Sequence, residues 1–152
     1  MYIIKLAPTD VAHSAAQPAA TFEIHAPLDD KLALDPRAWR RSHERCRVKR
    51  SELGKADQYG WLTCRTVASG NDWQIAFGET PHSATTGRGN LIGHRFSVGE
   101  AISIRDDSGH VTRLRVASLR FLMPRPKMQQ SFLQTTRGSG LVSHSLATMR
   151  HG

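Results

Sequence analysis

The stretch Ala101–Leu119, AISIRDDSGHVTRLRVASL, constrains the fold more than any other part of the chain. Two runs of alternating apolar and polar residues flank Asp107-Ser108-Gly109. Such alternation marks a half-buried strand, and a short Gly-containing link between two such runs reads as a hairpin. In a three-residue loop Gly109 takes the left-handed backbone conformation that glycine alone adopts at no steric cost. The register follows. Arg105 faces Val111, Ile104 faces Thr112, Ser103 faces Arg113, Ile102 faces Leu114 and Ala101 faces Arg115. One face then holds Ile102, Ile104, Thr112, Leu114 and Val116, and the other holds Ser103, Arg105, Arg113 and Arg115. A loop of two or four residues sets Ile102 against Arg113, and a one-residue slip inverts every side chain. Beyond Val116 the phase changes, because Leu119 and Phe121 are apolar at odd positions. A bulge or bend near Ala117-Ser118 reconciles the two phases.

Other segments repeat the β signal. Residues 2–7 (YIIKLA), 21–26 (TFEIHA), 59–69 (YGWLTCRTVAS) and 73–78 (WQIAFG) read as strands, with a turn at 69–72 (SGND). Residues 79–90 read as a loop, and β-structure resumes from His94, with a turn or bulge at Gly99. Asp35-Pro36 is a helix start, since Asp caps and Pro fits the first helical position. Trp39, His43, Cys46 and Leu53 then form a narrow helical stripe. RCRVKR (45–50) also alternates, so a short helix turning into a strand is the alternative.

The expected fold is α+β and mainly β: a small antiparallel sheet curled into a partly open barrel, with one basic helix near 36–50. A chain of 152 residues fits one domain that buries roughly 70% of its unfolded surface. We expect an N-terminal strand and mobile linker over 1–20, a globular domain over 21–127 and a flexible tail over 128–152. No run approaches the ~20 apolar residues of a membrane helix, and the N-terminus lacks the basic start of a signal peptide. A soluble cytoplasmic protein without a membrane partner is the expectation. Cys46 and Cys64 form no CxxC pair and read as free thiols.

Charge carries the functional signal. Twenty-one Lys+Arg against 13 Asp+Glu give a formal net charge of +8. Residues 37–50 hold seven basic residues and one acid, and from Arg120 onward there are five basic residues and no acid. Each cluster alone reads as an ordinary solvated face. Three in one small domain, counting the hairpin, point to an anionic partner. Arg37, Arg40, Arg41, Arg45, Arg47, Arg105, Arg113 and Arg115 are the candidate phosphate contacts, because a guanidinium offers forked donors that match phosphate oxygens. Trp39, Trp61 and Tyr59 can stack on unpaired bases, although each Trp taken singly fits a core better than a stacking platform.

Enzymatic motifs are weak. Gly87, Gly89 and Gly93 miss the dinucleotide spacing, and no GK[ST] makes a P-loop. The histidines show no zinc-ligand spacing, so neither a metal nor a cofactor is expected. DNA or RNA bound through phosphates, with little sequence readout, is the leading expectation. An interaction or inhibitor module with an acidic protein partner is the alternative. A small nuclease using His82 or His94 as base and Arg88 as phosphate clamp is a second alternative.

Overall fold

Among the described residues the chain forms eight strands and one short α-helix: β1 (Tyr2–Pro8), β2 (Thr21–Ala26), α1 (Pro36–Ser42), β3 (Arg47–Ser51), β4 (Gln58–Val67), β5 (Gly70–Phe77), β6 (Gly87–Ile92), β7 (Ala101–Asp106) and β8 (Val111–Phe121). The computed structural model describes residues 1–9, 19–80, 87–92 and 95–124. Two units are distinguished, Met1–Leu122 and Met123–Gly152. The strands lie in one unit, and the expected flexible tail at 128–152 lies outside the described residues, as does most of the expected linker.

Each strand pairs antiparallel with the next, and β8 pairs back onto β1, so the curled sheet is a closed barrel. β1 is one of its staves, paired with β2 on one side and β8 on the other. Inward-facing residues fill the interior. Ile4, Leu6, Ile24, Val48, Leu62, Ile75, Ile102, Leu114 and Val116 are all buried. Burying each such side chain contributes about 1.5–3 kcal/mol relative to leaving it exposed. Phe96, just before β7, is also buried in this core, and its N–H donates to the Leu32 carbonyl at 2.8 Å.

The β7–β8 hairpin has the register read from its pattern, from Ala101 opposite Arg115 to Arg105 opposite Val111. Its loop closes with the Asp106 N–H donating to the His110 carbonyl at 2.9 Å, and Gly109 has φ +86°. The Asp106 carboxylate accepts from the Ser108 hydroxyl and from the Ser108 and His110 N–H groups. The expected bulge is also present. Lys5 pairs with Ser118 and Leu6 with Val116, which leaves Ala117 unmatched and brings Leu119 into the inward phase opposite Ile4.

Three expectations need correction. The helix does not run from 36 to 50. Asp35 caps it as expected, its Oδ1 accepting from Arg37 N–H and Ala38 N–H. It ends at Ser42, a 3-10 turn covers His43–Arg45, and β3 begins at Arg47. The alternating reading of 45–50 prevails because strand geometry buries Val48 between Ile24 and Gly60, while Cys46 is buried just before it. Second, the β4–β5 turn sits earlier than 69–72: Val67 pairs with Gly70 across Ala68-Ser69. Third, Gly87–Ile92 is a strand within the expected 79–90 loop and beyond it. Leu91 packs inward, and Gly89 brings β6 close to the Ile104 side chain.

Gly60 is required by packing. A Cβ there would stand 2.5 Å from the Ala76 carbonyl oxygen of the neighbouring strand. Gly60→Ala is therefore expected to destabilise the barrel by about 1–3 kcal/mol, read as a lower urea midpoint with an unchanged slope. An unchanged midpoint would contradict this packing.

The hairpin also gives a pH dependence. The hydrogen bond from Ser108, followed by those from the His110 and Ser108 amides, holds the Asp106 carboxyl below its ordinary range. Its stabilisation is therefore present above the unfolded-state value and is lost as pH falls through the lower folded value. Amide exchange at His110 is expected to lose protection on acidification across that window. Asp106→Asn should flatten the effect, and an identical acid response in that variant would contradict the assignment.

Candidate nucleic-acid interface

In the barrel, strand pairing decides which charges meet. On β7 and β8, Ile102, Ile104, Leu114 and Val116 are buried, so the intervening Arg105, Arg113 and Arg115 lie on the outer wall and are exposed. Arg105 lies opposite Val111, which places it diagonal to Arg113. On its other side Arg105 pairs with Asn90, which places it diagonal to Arg88. Diagonal neighbours on a sheet stand about 7–8 Å apart, and Arg113 and Arg115 are separated by roughly 7 Å along their strand. Arg88, Arg105, Arg113 and Arg115 therefore form one oblique row across β6, β7 and β8. The Arg88 N–H donates to Asp107 Oδ2 at 3.2 Å, which ties β6 to the hairpin loop.

Ion pairs among the described residues engage Lys5, His25, Lys49, Arg50, Lys55, Arg65 and His110. None engages the four arginines of the row. The two hairpin-loop carboxylates serve the turn: Asp106 accepts from the loop hydroxyl and amides, and Asp107 accepts from the Arg88 amide. Four neighbouring guanidinium groups with no ion-pair partner among the described residues repel one another, and that repulsion favours an anion beside them.

The other five candidates lie elsewhere. Arg37, Arg40 and Arg41 are exposed on α1, and Arg45 follows in the 3-10 turn. Trp39 anchors this segment. Its Nε1–H donates to the Leu62 carbonyl at 2.9 Å, and its ring meets Trp73 edge-on at 6.2 Å. Trp39 and Trp73 thus pack against the core. Arg47 begins β3 and points outward, with its guanidinium carbon 3.3 Å from the centroid of the Trp61 ring. Tyr59, two residues before Trp61 on β4, is 64% exposed and pairs with Lys49. Counted round the eight staves, β7 lies four from β3 in either direction. The hairpin arginines and Arg47 therefore occupy opposite walls.

Arg50 belongs to neither surface. It follows the inward phase of Val48, faces Phe22 and Gln58, and pairs with Glu52. Arg88 stands outside the eight candidate contacts of the leading reading, although the nuclease alternative gave it the part of a phosphate clamp. The inward alternation of Gly89 and Leu91 was its signal, masked by the glycines. His82 and His94, the bases of the nuclease alternative, lie outside the described residues.

Both cysteines are free. Burial pushes the Cys46 thiol up to about 11 and also raises that of half-buried Cys64, so neither is tuned as a nucleophile. Among the described residues no helix is long and apolar enough to cross a membrane. No family model, curated protein or solved structure matches the chain.

Proposed function

We propose that this barrel binds nucleic acid through phosphate contacts along the β6–β8 wall. The observation that carries this reading is the oblique row Arg88–Arg105–Arg113–Arg115, free of ion pairs among the described residues. Arginine suits the task because its planar fork engages two phosphate oxygens at once. Contacts of this kind fix a strand on the surface and carry no base information, so sequence readout is weak. Arg37, Arg40, Arg41, Arg45 and Arg47 supply a second basic area on another part of the barrel. On this reading the protein works in the cytoplasm, with its two cysteines unpaired.

One observation favours a second reading. Ile92 and Val111 are 43% and 38% exposed on the same wall as the arginines. An acidic protein with apolar contacts would use such a mixed surface.

A salt titration separates the two. Single-strand binding loses about 0.7 and duplex binding about 0.9 in log K per unit log salt for each phosphate contacted. Replacing Arg105, Arg113 and Arg115 together with Ala is expected to reduce the slope by about 2–3 and to weaken binding across unrelated sequences alike. Failure to bind any nucleic acid at about 50 mM salt would refute the proposal. So would an unchanged slope in the triple variant. Recovery of a stoichiometric acidic protein that survives nuclease treatment and is lost in the same variant would favour the second reading.

A further inference from the structure

The arginine row does not end at β8. Arg115 pairs with Ala7 of β1, and there the outer surface drops into a groove of about 360 Å³. Ala7, Thr21 and Ser51 make its outward floor, and the bulged Ala117 borders it with no more than a methyl group. Lys5 and Lys49 line it. Its one carboxylate is Glu23, which stands between Lys5 at 3.8 Å and His25 at 3.2 Å. Across the groove the register runs Lys5, Glu23, Lys49 and Tyr59 over β1, β2, β3 and β4. The groove is therefore flanked on one side by Arg115, the register partner of its Ala7, and on the other by the exposed Tyr59, the register partner of its Lys49, with the Arg47–Trp61 stack one step further along β3 and β4.

We infer that the ligand is a single strand, which follows one path from the arginine row through the groove to Tyr59 and Trp61. This rests on the nucleic-acid reading above and specifies its substrate class. Three observations support it. The two basic walls face opposite ways, so one molecule reaches both only by curving around the barrel. Small side chains clear the route between them, and it is bordered by Lys5 and Lys49, which pair with Glu23 and Asp57 and can exchange those carboxylates for phosphates. At its far end an exposed aromatic ring offers a base a stacking surface, the sequence-tolerant contact used for unpaired bases. A duplex cannot take this path. Its persistence length is about 150 base pairs, and bending it around so small a radius costs more than a few phosphate contacts return. A duplex would touch one wall alone.

Labelled oligothymidylates of about 4 and about 16 nucleotides, the limits of the site sizes found for small barrels, test this at low salt. A blunt duplex of the longer length is the comparison. The longer strand should bind at least tenfold tighter than the shorter one, with one strand per barrel, and the duplex no tighter than the shorter strand. Thr21→Glu, which sets a second carboxylate on the groove floor, should abolish the length advantage. Glu23→Gln, a surface change that preserves packing, should strengthen binding of the longer strand alone. Tyr59→Ala should weaken the longer strand about tenfold, one stacked base being worth about that much. Two short strands bound at once without a length advantage would overturn the continuous path, as would a duplex that binds as well as the single strand. Either of those results would leave phosphate binding by the arginine row intact. Binding of no nucleic acid at all would remove both readings.

Discussion

The pairing of β8 with β1 is the interaction on which the rest of this structure depends. An open eight-stranded sheet would leave two unpaired edges, and exposed edges recruit other strands. Closure removes both edges and gives the inward faces of all eight strands a common interior. It also demands a compromise. The β7–β8 hairpin fixes one phase for β8, and pairing with Ile4 and Tyr2 of β1 requires the other. The unmatched Ala117 absorbs the difference. A single bulge lets one strand satisfy two neighbours whose registers conflict.

Closure also sorts the charges. In a closed barrel the outward residues of each stave have a fixed angular position, so basic clusters distant in sequence need not converge. Arg47 and Arg105 end up on opposite walls. Arg88 and Arg105, 17 residues apart, become neighbours through β6–β7 pairing. Arg88, Arg105, Arg113 and Arg115 become neighbours that form no ion pair among the described residues, and the staves between β7 and β3 separate them from Arg47.

Much of the fold was legible in the sequence where local signals were strong. Asp107-Ser108-Gly109 and the alternation on either side specify a single hairpin register. Asp35-Pro36 marks the start of a helix, and the odd-phase Leu119 and Phe121 require a bulge. The helix end was less legible. RCRVKR satisfies both periodicities, and only tertiary burial of Val48 between β2 and β4 decides between them. Strand β6 was hidden because glycines at 87 and 89 resemble loop material, although Gly89 is there to admit Ile104 of the next strand. The shared face of Arg105, Arg113 and Arg115 was legible in the hairpin register. That Arg88 joins them and Arg47 does not depends on the non-local order of the staves, of which residue spacing carries no trace.

Amide chemical-shift mapping of the isotopically labelled protein during titration with an oligothymidylate tests the central claim most directly. The largest shifts should fall on Arg88, Arg105, Arg113 and Arg115 and on their strand neighbours along β6, β7 and β8. Shifts confined to α1 and to His43–Arg45, with the β6–β8 wall unmoved, would contradict the account.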